Sequence, residues 1–376
     1  MHRPARLTML LAILAAVALL LAACADEADD AEEADEPDPD VEDVDEDPED
    51  DVDVDEEAED EEADDAEEAA EVEERSLTFA YITPETFPYH DGALRFQELV
   101  EESSGGNITV ELFPEAQLGD EREINESILE GTIDVGIGAG ALASFAPIMN
   151  LPQLPFIVAN QDHMHAIIED EAGERIAEEV EEAGFKVLDW FSTGDSSIQT
   201  VDVPISSPSD LEGLRIRAIE NDAIVDALEA LGANPTPMPF PEVYTGLEQG
   251  VVEGAHLDWG SVAANQIYEQ IDYATSPDVA FLAEPRPVIM SMDAWESFDS
   301  ATQDLIQEAM SEAAQYERDL FVDTIDDAVD QVADAGVEFT DIDEQEFLDI
   351  VEPVWEQWAE ELGAEDVLER FNELRP

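Results

Sequence analysis

The sequence predicts an α/β fold with two lobes for the 302 residues that follow residue 74. Segments that alternate apolar and polar residues, as strands do, recur between segments with apolar residues at helical spacing, which indicates an α/β core with largely parallel sheets. This length also suits two lobes of about 150 residues each. One apolar stripe near the C-terminus is too long for a single small lobe, at about 1.5 Å per helical residue.

Residues 1–24 have the pattern of a secretory signal: a basic start, an apolar run from Leu7, and Leu-Ala-Ala-Cys at 21–24. The run is too short and wrongly flanked for an ordinary membrane span. Small residues before a cysteine form a lipoprotein processing site, so we expect lipid on Cys24 and anchoring at the outer face of a membrane. A chance cysteine after an ordinary signal peptide is the alternative. Cys24 is the only cysteine, which excludes disulfides, cysteine-ligated zinc and a catalytic thiol in the mature domain.

Residues 25–75 are acidic: 33 of the 49 positions from 26 to 74 are Asp or Glu, and none is Lys or Arg. Such a segment cannot bury enough apolar surface to offset its ordering entropy, and repulsion between like charges extends it. We expect a disordered tether between the lipid and the folded domain. A calcium-binding or partner-binding tail is the alternative.

The first lobe reads as strands and helices in alternation. The predicted strands are Leu77–Tyr81, Ile108–Leu112, Ile133–Ile137 and Lys186–Phe191. The predicted helices are one with Ala93, Phe96, Leu99 and Val100 on a face, one over Glu121–Glu130 and one across His165–Ala183.

The second lobe opens near Thr200 and contains a short strand at Leu214–Ala218. A helix follows, and we expect Gly232 to end it as a C-cap. Residues Ala280–Met292 form a return strand, and its prolines at 285 and 287 confine that part to a sheet edge or a crossover.

An apolar stripe at helical spacing predicts a helix over Thr302–Ala335, about 50 Å long at 1.5 Å per residue. Two shorter helices broken near Asp323 are the alternative. The segment Phe347–Phe371, with Trp355 and Trp358, predicts terminal helices packed on a lobe.

Two arginines at alternate positions, Arg215 and Arg217, stand out in a chain with only 13 Lys and Arg residues. Alternate side chains of a strand share a face, so we expect both to point the same way. A guanidinium is always charged and matches a carboxylate bidentately, which favours an anion clamp for a small organic acid. Pairing with the abundant surface carboxylates is the alternative.

An ordered set of short motifs carries a resemblance to a known family. The set comprises Leu77–Pro84 with His90, Phe113–Pro114, Gln117–Asp120 with Arg122, Gly131–Asp134, Leu154–Phe156, Gly213–Arg217 and above all Gly232–Gly254. In this order they resemble the solute-binding proteins of tripartite ATP-independent periplasmic (TRAP) transporters, over nearly the whole chain beyond residue 76. The resemblance implies a two-lobe periplasmic-binding-protein-like fold with a long helix crossing both lobes. Lobe 1 would be 76–195 plus 283–320, and lobe 2 would be 196–282 plus 321–376.

The resemblance also implies a lipid-anchored extracytoplasmic receptor that binds a small acid in the interlobe cleft and delivers it to TRAP membrane subunits. Arg217 matches the family arginine that holds the ligand's carboxylate, and Phe240 takes a position that usually faces ligand. Trp259, Tyr244 and Phe87 could wall the ligand. The acids Asp258 and Glu220 near the clamp would suit a zwitterion.

Other positions depart from the family pattern. Residues Ser192–Ser197 contain no arginine, Leu257 replaces a contact asparagine, and Gly138–Leu142 replaces a polar cluster. These departures disfavour sialic-acid-like ligands and predict a less cationic, more apolar pocket for a smaller acid. We expect Arg215 to meet a surface carboxylate and His256 to be a loop histidine.

Other functions find little support in the motifs. The chain shows no Ser-His-Asp elbow, His-Glu-x-x-His helix or phosphate loop, so an enzyme is disfavoured, although a carboxylate-dependent exported hydrolase stays open. A receptor that presents its ligand to a membrane sensor is a further alternative. We expect no cofactor and no metal, and a net charge of −86 argues against nucleic-acid binding.

The acidity of the folded part predicts salt-dependent stability. After the tether, 66 acidic and 11 basic side chains remain, and their repulsion destabilises a compact domain at low ionic strength. Raising NaCl from about 0.1 M to about 1 M shortens the Debye length to roughly 3 Å and should raise the melting temperature. Calorimetry checks this, with sucrose at matched osmolality as the uncharged control. An equal rise in sucrose would contradict a charge-based effect.

Overall fold

The structure, a computed structural model, describes residues 74–138 and 140–376. Eleven strands are present in this part of the chain: β1 (Arg75–Ala80), β2 (Ile108–Phe113), β3 (Val135–Ile137), β4 (Phe185–Ser192), β5 (Ser196–Thr200), β6 (Arg215–Ala218), β7 (Asn234–Pro237), β8 (Gly254–Asp258), β9 (Tyr273–Thr275), β10 (Pro285–Ser291) and β11 (Glu338–Thr340). The helices are α1 (Pro88–Ser103), α2 (Glu121–Leu129), α3 (Gln161–Ile168), α4 (Glu171–Glu182), α5 (Asp222–Ala230), α6 (Val243–Glu248), α7 (Trp259–Ala264), α8 (Met292–Glu296), α9 (Ser300–Asp334), α10 (Glu344–Leu362) and α11 (Glu365–Leu374). The predicted signal, Cys24 and the acidic tether up to residue 73 lie outside the described residues.

The strands form two sheets, which confirms the predicted α/β class. One sheet has the order β2-β1-β3-β10-β4, and the other has the order β11-β9-β5-β8-β6-β7. The prediction of largely parallel sheets is confirmed, because all strands but one in each described sheet run in the same direction, the exceptions being β10 and β5. These are the strands with which the chain enters each sheet from the other, and that route reverses their direction.

The return strand β10 lies inside the first sheet, between β3 and β4. Its proline-containing start was predicted at an edge or a crossover, and it pairs only with β4: Pro285 lies opposite Ser192 and Pro287 opposite Trp190, while the pairing with β3 begins at Val288. The carbonyl of Pro287 accepts a hydrogen bond from the amide of Gly138 (2.7 Å). A segment paired on one side tolerates proline, because proline has no amide hydrogen to donate to a second neighbour.

The helix predicted across His165–Ala183 is two helices, α3 and α4. The side chain of Asp170 accepts a hydrogen bond from the amide of Ala172 and so begins α4 anew. At Gly173 a Cβ would lie 2.6 Å from the carbonyl oxygen of Ile167, so only glycine allows the two helices to meet so tightly. The predicted stop after α5 is confirmed, since Gly232 has a φ of 90°.

Three connections join the lobes. Residues 192–196 lead from β4 to β5, and residues 282–285 lead back into β10; the two segments run side by side, with the Ser196 amide donating to the carbonyl of Leu282 (2.8 Å). The third connection is α9, a continuous helix of 35 residues with no break at residue 323. Its first half packs into the core of the first sheet through Ile306 and Ala313, and its second half packs beside α7 through Val332. The predicted helix that crosses both lobes is confirmed.

The terminal helices contact parts of both lobes, where packing on one lobe was predicted. α10 packs against α5, while α11 packs against α3 and α4. The indole of Trp355 donates to the carbonyl of Pro155 (3.0 Å), and that of Trp358 donates to Asp226 (3.2 Å). The residue boundaries given above for the lobes stay a prediction. None of the helices within the described ranges has both the length and the apolar character of a membrane span.

Candidate functional site

A cleft lies where the two sheets face each other, and both lobes contribute to its walls. Its volume is about 710 Å³ when the open mouth is included. The walls come from the end of β1 and the loop after it, the first turns of α1 and α2, strands β6 and β8, and the crossing segments near Ser196 and Glu284.

Arg217 occupies this cleft as a buried cation. Its side chain projects from β6, is 3% exposed, and donates through Nε to the carbonyl of Met238 (2.9 Å). That is the only hydrogen bond that the guanidinium makes with any described residue. Burial lowers the pKa of Arg217 to about 10, although the nearby charges of Glu121 and Glu220 oppose the shift. The group therefore stays charged at neutral pH and can offer its terminal nitrogens to an anion.

Arg215 has a different role, as expected. It is exposed at the start of β6, where it donates to the carbonyls of Val251 (2.9 Å) and Gly250 (3.1 Å) and pairs with Glu253 (3.3 Å). Its bonds fix the loop before β8 to the sheet.

A second cleft arginine, Arg286, was missed by the sequence analysis. It projects from β10, with a side chain 12% exposed, and forms ion pairs with Glu284 and with Glu121 (3.6 Å to the latter). The return strand therefore supplies a cation that the segment after β4 lacks, and the expected less cationic, more apolar pocket stays a prediction. A signal was present: like Arg217, it is a lone cation in an apolar segment.

Three carboxyl groups share the cleft with the two arginines: Glu121, Asp258 and Glu284. Glu121 is the first residue of α2, and Asp258 caps α7 by accepting from the amide of Ser261 (2.7 Å). Burial raises the pKa of both Glu121 and Asp258. The cleft is thus a mixed-charge site with one cation, Arg217, that forms no ion pair with a described residue.

His256 is a strand residue of β8, so the expectation of a loop histidine is wrong. It pairs opposite Ile198, is 4% exposed, and lines the cleft. Its Nε2 has no hydrogen-bond partner among the described residues. Burial, together with the charges of Arg217 and Arg286, lowers the pKa of His256 to about 3, so the ring is neutral.

Four of the seven predicted ligand residues line the cleft together: Arg217, Phe240, Asp258 and Phe87. Phe87 directly precedes α1, is 1% exposed, and stacks edge-on against Tyr89 at 4.7 Å between ring centroids. Phe240 is half-buried in a short turn after β7. These rings give the site apolar walls beside its charged groups.

The other three lie away from the cleft lining. Trp259, adjacent to Asp258, is 1% exposed and packs in the core against the ring of Phe339 (5.3 Å). The hydroxyl of Tyr244 donates to Glu269 (3.0 Å) on the lobe surface. Glu220 is half-buried and acts on Arg217 only through its charge. Within the described ranges, no group of three His, Cys, Asp or Glu residues is arranged to hold a metal ion.

Comparison with known proteins places this site in a family. The family model described as "Bacterial extracellular solute-binding protein, family 7" matches residues 79–361. The chain belongs to this family. The 2,3-diketo-L-gulonate-binding periplasmic protein YiaO of Escherichia coli is 30% identical over 277 residues, which are 73% of this chain and 84% of that protein.

Solved structures of TRAP periplasmic solute-binding proteins agree in fold. A TRAP periplasmic solute-binding protein from Sulfitobacter sp. NAS-14.1 with bound β-D-galacturonate has a TM-score of 0.76 and 27% identity, covering 79% of this chain and 99% of that one. One from Chromohalobacter salexigens with bound D-glucuronate has a TM-score of 0.76 and 28% identity, covering 80% and 100%. The TRAP resemblance read from the motifs is confirmed, and the family consists of transport binding proteins.

The buried neutral imidazole predicts a stability effect in acid. A histidine whose pKa falls from 6.5 when unfolded to about 3 when folded stabilises the protein above pH 6.5 and loses that contribution as the pH falls toward 3. At about pH 5 the loss should be about 2 kcal/mol relative to about pH 8. His256→Gln should lack this loss.

Urea unfolding of both proteins at the two pH values measures it. At the higher pH, the difference in unfolding free energy between wild type and variant reports the effect of the substitution on packing. The carboxyl groups titrate in both proteins, so their contribution cancels when the two are compared. If wild type and variant differed in unfolding free energy by the same amount at both pH values, the buried neutral state of His256 would be contradicted.

Proposed function

We propose that this chain is a lipid-anchored extracytoplasmic receptor that binds a small organic acid in its interlobe cleft and delivers it to the membrane subunits of a TRAP transporter. Family membership supports the transport role. The Leu-Ala-Ala-Cys sequence supports anchoring through Cys24. The acidic folded part supports function in a salty exterior, where charge repulsion is screened.

The observation that carries the proposal is Arg217. A guanidinium that is 3% exposed has lost most of its hydration, and here it has a single backbone acceptor among the described residues. The cost of burying a charge falls when a counter-ion completes its hydrogen bonds. A ligand carboxylate on the two terminal nitrogens would complete them.

The mechanism requires no bond making. The lobes close on the acid about the crossing segments, and the closed form is the one that the transporter recognises. Gly194, with a φ of 73°, lies in the crossing segment between β4 and β5, where glycine allows a conformation that other residues avoid. The ligand favours closure by its higher affinity for the closed state.

The ligand class follows from the charges. The solved relatives described above hold uronates, which makes sugar acids the first compounds to test. The cleft carboxyl groups also keep open a zwitterionic ligand, since a positive group on the ligand would offset their charge. Binding without turnover is expected, which separates a receptor from an exported hydrolase.

A sensor partner is the second candidate. It would use the same cleft and the same closure, so binding data do not separate it from a transporter partner. Uptake of the bound acid in cells that lack TRAP membrane subunits, compared with intact cells, separates the two: a transporter partner predicts lost uptake, and a sensor partner predicts no change.

Replacing Arg217 should weaken binding. In Arg217→Ala, loss of a buried charged contact costs about 2–5 kcal/mol, so affinity for the acid should fall roughly 30-fold or more. Titration calorimetry of the full chain measures this, after a thermal-shift screen of dicarboxylates, 2-oxo acids, aromatic acids, sugar acids and zwitterions in about 1 M salt.

Arg215→Ala is the matched control, because it removes an exposed arginine from the same strand. Its affinity should equal that of wild type. If an acid bound Arg217→Ala as tightly as wild type, the proposed receptor function would stand, but Arg217 would not be the residue that holds the acid.

The lipid anchor has its own test. Cys24→Ser removes the only thiol, so the variant should partition into the aqueous phase on detergent phase separation while wild type enters the detergent phase. The variant should keep its affinity for the acid. Detergent partitioning by the serine variant would contradict anchoring through this residue.

A further inference from the structure

Six buried polar atoms on the cleft walls have no hydrogen-bond partner among the described residues. They are Thr83 Oγ1, Tyr89 Oη, Ser196 Oγ, His256 Nε2, Glu284 Oε2 and Arg286 Nε. They come from the loop after β1, from α1, from β5 and β8, and from β10 and the crossing segment that leads into it, so they line the cleft from several sides. Buried polar groups in folded proteins are nearly always satisfied, so these atoms indicate a polar ligand with several hydrogen-bonding groups.

The nature of the unpaired atoms restricts those groups. Arg286 Nε can only donate, an ionised Glu284 accepts, and the three hydroxyls can do either. A hydroxyl on the ligand can satisfy donors and acceptors alike. An ammonium group has three donors and no acceptor, so it cannot satisfy Arg286 Nε.

The charges restrict the number of carboxylates. Arg286 already pairs with Glu284 and Glu121, which leaves Arg217 as the cation available to an anion among the described cleft residues. A second carboxylate on the ligand would meet Glu284, Glu121 or Asp258 instead of a free cation. Like charges placed together in a desolvated site are strongly unfavourable.

We infer that the cleft takes a polyhydroxylated monocarboxylate and rejects dicarboxylates, with Glu284 as the residue that determines this specificity. The inference rests on the proposed function and specifies its ligand. Arg217 holds the carboxylate at one end. Glu284, kept in place by Arg286, accepts a hydrogen bond from a hydroxyl at the other end and repels a second carboxylate.

Titration calorimetry of the full chain with defined probes tests the inference. The probes are D-glucuronate and D-galacturonate for polyhydroxylated acids, L-malate and succinate for dicarboxylates, and L-glutamine for zwitterions. Wild type should bind at least one sugar acid about tenfold or more tighter than either dicarboxylate and than L-glutamine.

Glu284→Gln should change the order of the affinities for these probes. It removes the anionic acceptor and releases Arg286 from its partner, so sugar-acid affinity should fall about tenfold while malate affinity rises. Glu98→Gln is the matched control, because Glu98 is a surface carboxylate paired with Arg95 far from the cleft lining. Its ranking should equal that of wild type.

Ser196→Ala gives a second variant in case Glu284→Gln does not fold, which circular dichroism reports. It removes one unpaired hydroxyl and should weaken sugar-acid binding without helping malate. A sugar-acid affinity that neither variant changes would overturn the inference.

The outcomes also separate this inference from the proposed function. If wild type prefers malate, succinate or L-glutamine and this binding depends on Arg217, the inferred specificity is wrong, while the proposed receptor function stands. An absence of acid binding in wild type, or acid binding that ignores Arg217→Ala, overturns the proposed clamp itself and the inference with it.

Discussion

The burial of one positive charge, on Arg217, organises the cleft. Removing a guanidinium from water costs several kcal/mol unless other groups replace its hydration. The protein supplies a carbonyl from Met238 and the through-space charges of Glu121 and Glu220, and these keep the group ionised without closing it off. Strand β6 can hold the residue in place because β7 and β8 fix it on both sides. The anion that we propose as ligand would complete a site built in this way.

The acidity of the chain acts differently outside and inside the cleft. On the surface, carboxylates repel one another, and we expect this repulsion to make the stability of the fold depend on salt. In the cleft, the three carboxyl groups are partly neutralised, because Arg286 pairs with two of them and Asp258 caps a helix. The same residue type therefore has two proposed roles, a loss of stability on the outside and selectivity within, and the second depends on position and burial instead of number.

Local sequence was sufficient to predict most of the fold and the centre of the site. Strand alternation and apolar spacing located the strands of the first lobe and α9, since these signals depend on neighbours along the chain. Arg217 was identifiable as a cation in a short apolar strand within a family motif. Arg286 also lies in a mostly apolar segment, but its place in the cleft depends on β10 inserting between β3 and β4, which is a long-range pairing that the local sequence does not show. The prediction that Trp259 lines the cleft was not met for a related reason. Its neighbour Asp258 lines the cleft, and only the packed structure shows that the indole of Trp259 packs in the core.

The long helix limits how this protein can be divided. Residues such as Ala313 and Phe321 complete the core beside the first sheet, while Ala328 and Val332 complete the one beside α7, and all four belong to α9. A cut between the lobes would leave each half without part of its hydrophobic core. Chimaeras that exchange lobes between relatives therefore have to carry the matching half of α9, and the whole two-lobe body is the smallest unit that recombination can move intact.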